Sequence, residues 1–272
     1  MTWRCGCALR RALPPAAQPL VSAGKTFVSA FPANCLDTID VLVLAGGLGT
    51  RIRPVLGDTP KLLAPVAGRT YLDHLLDWLE RFGPRRVVLA LGYRADAISA
   101  HLARHERVTM TIDVVVEPQP LGTAGAIRFA RPRLCSDPVL VLNGDSFADV
   151  DLCKFCDCHR KARTAGTILC ATVEDAGRYG RVRINDRGAV VGFVEKDAAF
   201  RGEALVNAGM YFLSAALLDT ITSGTATSLE KEVFERLPPG SLAAFAECGN
   251  FIDIGTPESL AQAAALFGGD KL

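Results

Sequence analysis

The 272-residue sequence predicts an α/β fold, a doubly wound and mostly parallel sheet carrying a β-hairpin insertion. Three observations lead there. From residue 39 onward, short apolar runs alternate with stretches whose apolar residues recur at helical spacing. Most of the runs end in glycine or polar residues. Beyond residue 180, two alternating runs flank a glycine-containing turn.

In chain order, residues 41–45 read as a first strand that stops at Gly46-Gly47. Leu72, Leu75, Leu76, Leu79 and Phe82 form one buried helical stripe, ended by Gly83-Pro84. Strands at 86–91, 112–117 and 139–143 then alternate with helices at 95–104 and 123–130. A helix at 151–162 and a strand at 167–173 follow, and residues 181–195 form the hairpin. Residues 205–213 are a further apolar strand, and the tail supplies helices at 229–237 and 257–267 with a strand at 242–247 between them. There is no internal repeat and no interdomain linker, so residues 39–272 are expected to form a single domain.

Composition narrows the partners. The chain is 49% hydrophobic, 22% charged and 7% aromatic, and its formal charge is +1. No bulk field would draw it onto nucleic acid or an anionic membrane, and no stretch approaches the roughly 18 apolar residues of a membrane span. Arg4, Arg10, Arg11 and Lys25 against Asp37 make residues 1–38 basic, while the rest is slightly acidic. Pro14, Pro15 and Pro19 interrupt that leader, which reads as a disordered extension rather than an export signal.

The nine cysteines, odd in number and scattered, fit reduced thiols in a cytoplasm. Cys153, Cys156, Cys158 and His159 have a spacing that zinc would accept. Helical geometry sends Cys158 and His159 away from the other two, and buried thiols are the expectation.

Chemistry in open α/β sheets sits beyond the carboxyl ends of the strands. After the first strand comes Leu44-Ala-Gly-Gly-Leu-Gly-Thr-Arg51, whose glycines let backbone N–H groups approach an anion while Arg51 adds charge. The Gly-Lys-Ser/Thr ending of a Walker A loop is absent. The dinucleotide fingerprint fails as well, with Ile52 where its last glycine belongs and no acidic residue after Leu91. What remains is Gly-Gly-x-Gly-Thr-Arg, then Lys61 within Pro60-Lys-Leu-Leu-Ala-Pro-Val66.

This segment resembles the signature of sugar-1-phosphate nucleotidyltransferases, and the resemblance spans nearly all of residues 39–267. Further landmarks follow in order: Glu117-Pro-Gln-Pro-Leu-Gly-Thr-Ala124, Asn143-Gly-Asp145, Val194-Glu-Lys196, Asn207-Ala-Gly209 and Phe251-Ile-Asp-Ile-Gly-Thr256. Within the family the chain is most similar to bacterial D-glycero-D-manno-heptose 1-phosphate guanylyltransferases. The implied reaction is in-line attack of a sugar-phosphate oxygen on the α-phosphorus of a nucleoside triphosphate, with pyrophosphate leaving. Catalysis of this kind consists mainly of alignment and charge neutralisation.

The resemblance implies that Asp145 and Asp253 hold Mg²⁺, that Arg51 steadies the β/γ phosphates, and that Lys61 reaches the phosphates at the reacting centre. It implies that Lys196 grips the sugar phosphate, Glu195 binds sugar hydroxyls, and Asn207 and Gly209 line the sugar pocket. Nucleotide binding falls to Leu44, Ala45, Gly46, Gly47, Gly49, Thr50, Arg51, Gln119, Leu121 and Gly122, with guanine the preferred base. Taken singly, these residues admit plainer roles: Asp145 an Asx-turn, Asp253 a helix cap, Arg51 a solvated turn, Glu195-Lys196 an exposed hairpin end. The family form Glu-Lys-Pro is broken by Asp197, which predicts a looser loop. The expected partners are an NTP, with GTP preferred, and a sugar 1-phosphate, with no nucleic acid and no membrane, in a cytoplasmic monomer or homodimer. Mannose-, glucose- or N-acetylmuramate 1-phosphate with GTP, UTP or dTTP is the alternative chemistry, and a non-catalytic sugar-nucleotide sensor the alternative class.

Overall fold

The computed structural model describes residues 34–104 and 110–268. The basic leader, as far as residue 33, lies outside them. Residues 34–38 form a turn whose Leu36 is fully buried, so packed structure begins ahead of Ile39.

The elements run β1 (Asp40–Ala45), α1 (Arg53–Leu56), β2 (Pro65–Val66), β3 (Arg69–Thr70), α2 (Tyr71–Glu80), β4 (Arg86–Leu91), α3 (Ala95–Arg104), β5 (Ile112–Val116) and α4 (Gly122–Ala130). Then come β6 (Val139–Asn143), β7 (Ser146–Ala148), α5 (Leu152–Ala162), β8 (Gly166–Val173), β9 (Arg181–Ile184), β10 (Val190–Val194), β11 (Ala204–Leu213), α6 (Ala215–Ser223), β12 (Leu242–Phe245), β13 (Phe251–Asp253) and α7 (Pro257–Gly268). The main sheet has the order β10-β9-β11-β6-β1-β4-β5, with β8 on the far edge of β11 and β12 beside β8. Strands β6, β1, β4 and β5 are parallel, and β11 joins them antiparallel. The expected α/β architecture and hairpin are both present, the hairpin as β9 and β10.

Local chemistry accounts for several boundaries. Thr70 and Asp73 form a reciprocal capping box at α2, and Asp151 caps α5 through the N–H groups of Cys153 and Lys154. The helix expected at 229–237 is instead a π turn, Leu229–Val233, followed by a 3₁₀ turn, Phe234–Arg236. Helix α6, capped by Ser214, was not anticipated.

A small two-stranded ladder stands apart from the main sheet. β7 pairs antiparallel with β13, setting Ser146 opposite Asp253. Tyr71 Oη donates to the Ser146 carbonyl at 3.0 Å, and the Phe147 ring lies between Trp78 of α2 (5.3 Å) and Phe267 of α7 (4.9 Å). This aromatic wedge seats the ladder on the hydrophobic core.

The cysteine expectation needs one correction. Cys35 and Cys153 are joined by a disulfide, tying the first turn to α5. Their approach depends on tertiary packing that no spacing rule contains. Cys156 is a buried free thiol, as anticipated, and His159 is paired with the Thr167 hydroxyl at 2.9 Å. No group of three or more metal-ligating side chains occurs among the described residues. No helix among them is long and apolar enough to cross a membrane.

Candidate active site

Strand order reverses at β1, which has β4 on one side and β6 on the other. The crevice beyond the carboxyl ends of β1 and β6 is where such sheets bind ligands. Two cavities open there. The first, about 330 Å³, is walled by Leu44, Ala45, Gly46, Gly47 and Gly49 on one side and by Leu121 and Gly122 on the other. The second, about 360 Å³, is walled by Glu195, Lys196, Asn207 and Gly209, together with Arg51 and Asp253. Asn143 and Asp145 belong to both, so the cavities meet at the end of β6.

Of the residues expected at the nucleotide, Thr50 and Gln119 are exposed and outside the first cavity's wall. Arg51 faces the second cavity. The β1–α1 loop turns its guanidinium toward Gly255 and Asp253 instead of along the glycine loop.

At the junction Lys61 Nζ lies 2.8 Å from Asp145 Oδ2. The β7–β13 ladder brings Asp253 alongside, and Ile254 N–H donates to the Asp145 carbonyl at 2.9 Å. Burial raises the Asp253 pKa above the ordinary aspartate range, and the neighbouring Asp145 carboxylate raises it further. Lys61, the Gly255 N–H and Arg51 pull the other way. Two carboxylates in this arrangement invite a cation. The plainer roles are filled by others: Thr256 and Ser259 bond reciprocally at the start of α7, and Asp145 takes an ammonium rather than closing an Asx-turn.

The donor set is compatible with Mg²⁺. It is oxygen only, with two carboxylates, and Mg²⁺ usually keeps several waters and adds phosphate oxygens. Asp145 and Asp253 are the residues that would hold such an ion.

Glu117 opens one of the sequence landmarks, which assigned it no role, and the structure places it in the first cavity. Its Oε2 accepts the Leu121 N–H at 3.0 Å, while Oε1 is buried with no hydrogen-bond partner. Burial holds its pKa above the usual glutamate range, and the Leu121 N–H partly offsets this. It lies directly beneath Gly46, where any Cβ would overlap the carboxylate. Asn143 Oδ1, at the cavity junction, is likewise buried and unpartnered.

In the second cavity Glu195 is engaged by Lys231 at 2.7 Å, a residue no sequence signal marked. Where a looser loop was expected, Asp197 closes an Asx-turn. Its Oδ1 accepts the Ala199 N–H at 2.9 Å, its carbonyl accepts the Phe200 N–H at 2.9 Å, and Arg181 stacks over the Phe200 ring at 3.9 Å. Asn207 and Gly209 sit at a break in the β11 ladder, where Gly209 has φ +74° and leaves room for the Asn143 amide.

Residues 40–268 match the family described as Nucleotidyl transferase. The chain belongs to that family. Within it, the mannose-1-phosphate guanylyltransferase of Mycobacterium tuberculosis is 32% identical over 230 residues, covering 84% of this chain and 64% of the relative. The Drosophila melanogaster mannose-1-phosphate guanylyltransferase catalytic subunit beta is 35% identical over 231 residues, covering 83% and 62%. The chain therefore spans somewhat less than two thirds of those relatives' length. HddC from Yersinia pseudotuberculosis superposes with a TM-score of 0.76 at 33% identity, over 84% of this chain and 99% of HddC. HddC has also been crystallised complexed with GMP-PN. This nucleotidyl transferase thus shares the α/β fold of HddC across almost all of the latter's length.

Proposed function

We propose that the protein transfers the guanylyl group of GTP to a sugar 1-phosphate with Mg²⁺, releasing pyrophosphate and forming a GDP-sugar for surface polysaccharide. The observation that carries this reading is the junction of the two cavities. A nucleotide in the first and a sugar phosphate in the second would meet at Asn143 and Asp145. Lys61 and Asp253 stand at that meeting point.

Both reactants are anionic, so charge neutralisation is the first requirement. Lys61, whose ammonium stands at the cavity junction beside Asp145, would neutralise phosphate oxygens there. Arg51 and Lys196, in the second cavity, would draw in the sugar phosphate and hold its attacking oxygen in line. Bound Mg²⁺ would supply charge withdrawal from the reacting phosphate.

Guanine is favoured by Glu117. A carboxylate in the first cavity's wall suits the adjacent N1–H and N2–H donors of guanine, and neither uracil nor adenine offers such a pair. The acceptor we favour is D-glycero-α-D-manno-heptose 1-phosphate. Mannose 1-phosphate, which differs in lacking one exocyclic carbon, is the second reading because the curated relatives are named for it.

Purified protein with Mg²⁺, a panel of NTPs and these two sugar phosphates tests the reading. Pyrophosphate release with GTP and at least one acceptor is expected. Nucleotide binding with no release across a broad acceptor panel would instead favour the sugar-nucleotide sensor.

A further inference from the structure

A chain of hydrogen bonds runs from one cavity wall to the other through the protein interior. Its centre is Tyr211 on β11, which is fully buried. The Tyr211 hydroxyl accepts from Asn207 Nδ2 at 2.9 Å and donates to Glu230 Oε1 at 2.9 Å. The other carboxylate oxygen, Glu230 Oε2, accepts from the Thr123 hydroxyl at 3.3 Å. Thr123 in turn accepts the Leu229 N–H at 2.7 Å. Asn207 and Glu230 line the second cavity, and Thr123 lines the first.

The polarity of the chain is settled by its members. Asn207 Oδ1 accepts the Gly209 N–H at 2.9 Å, so the amide can turn only its NH₂ toward Tyr211. With that bond accepted, the tyrosine proton goes to the carboxylate. Burial first, then the Glu230 charge, hold the Tyr211 pKa far above the ordinary phenol value, so the donor is never lost at ordinary pH. Glu230 is therefore a terminal acceptor for a limb from each cavity, and the Ser228 hydroxyl also donates to its Oε2, at 3.4 Å. The limb from the first cavity is anchored further, because the Ala124 N–H donates to the Thr227 carbonyl at 2.9 Å.

We propose that Tyr211, Glu230 and Thr123 are positioning residues that couple the two cavities. A ligand engaging the Asn207 amide changes the pull on Tyr211 and hence on the carboxylate that orients Thr123 at the start of α4. The linkage is reciprocal, since any change that one ligand makes in the affinity for the other must hold in reverse. None of the three need touch the reacting phosphates. The inference rests on the assignment of nucleotide to the first cavity and sugar phosphate to the second.

The test is calorimetric binding of mannose 1-phosphate, with and without saturating α,β-methylene GTP and Mg²⁺, to the full chain. In the parent protein the nucleotide analogue is expected to change the sugar-phosphate Kd by about fivefold or more. In Tyr211→Phe and in Thr123→Val that ratio should fall below about twofold, with the double variant showing no further fall, because both break one path. A purely structural role would lower the melting temperature or weaken both ligands while leaving the ratio intact. An unchanged ratio in both variants, or no coupling in the parent, would overturn the proposal. Thr123→Val keeps the test alive if the buried Tyr211 variant fails to fold. If neither ligand binds the parent protein, the functional assignment itself falls, and the coupling with it. Binding without coupling refutes the coupling alone.

Discussion

Asp253 lies beside Asp145 because β13 pairs with β7, setting Asp253 opposite Ser146, and because the Ile254 N–H holds the Asp145 carbonyl at 2.9 Å. The two carboxylates come from distant parts of the chain, yet a three-residue ladder fixes their separation. Asp145→Asn and Asp253→Asn should each lower pyrophosphate release by about 100-fold or more, since each removes a charge from the proposed ion's shell. Asp253→Asn should lower the melting temperature little, because it also relieves repulsion within the pair. Near-parental turnover in both would remove the metal assignment.

The raised pKa of Asp253 has a pH consequence for cation binding. Its charged form is disfavoured first by burial and then by Asp145, so protonation begins above the ordinary aspartate range as pH falls. In the metal-free protein a proton should therefore compete with Mg²⁺ for this site from above that range, and calorimetric titration of Mg²⁺ across pH should show its affinity falling there. In Asp145→Asn the onset should move to lower pH, because one source of the upward shift is gone.

Glu117→Gln replaces one acceptor of the buried carboxylate by a donor. With GTP, kcat/KM is expected to fall about 100-fold, in line with losing a charged hydrogen bond in a buried site, while the rate with UTP changes little. Equal losses for every nucleotide, measured over an NTP panel, would place Glu117 outside base recognition.

Asp73 links the α2 cap to α3 through His101 at 3.0 Å. Burial works against its charge, but the Thr70 hydroxyl and His101 outweigh it and bring the pKa from 3.8 to about 2. A depressed carboxylate stabilises the fold above its unfolded value and loses that contribution as pH falls through the folded one. Asp73→Asn should thus cost about 1 kcal/mol at pH 7, the usual scale for a lost cap, with the difference shrinking between pH 3.8 and 2. Melting curves across that range decide it.

The Cys35–Cys153 bridge closes a long loop, with a sequence separation of 118. Breaking such a crosslink typically costs about 2–4 kcal/mol. Cys35→Ser, or incubation with a reductant, should lower the melting temperature while leaving GTP affinity unchanged, because neither cysteine lines the two cavities. A melting temperature indifferent to both treatments would show that the crosslink adds nothing to stability.

Much of the fold was legible in the chain itself. Strand runs such as 41–45 and 86–91 and the stripe on α2 are local patterns, and local patterns need only the side chains at period 2 or 3.6. The same holds for the residue types at the strand ends, where Gly46, Lys61, Asp145 and Asp253 were expected to act and where the structure gathers them. Other features depend on which distant segments pack together, and no local pattern encodes that. The turn of Arg51 into the second cavity, the orphan oxygen of Glu117, the Lys231 partner of Glu195 and the Cys35–Cys153 bridge are of this kind. So is the stacking of Arg181 on the Phe200 ring beside the Asp197 Asx-turn. Sequence alone determined the α/β class and the charged residues available to the two proposed anionic ligands. Tertiary structure decided how those residues are divided between two cavities that share Asn143 and Asp145, because that division is set by strand order at β1 and by the β7–β13 register.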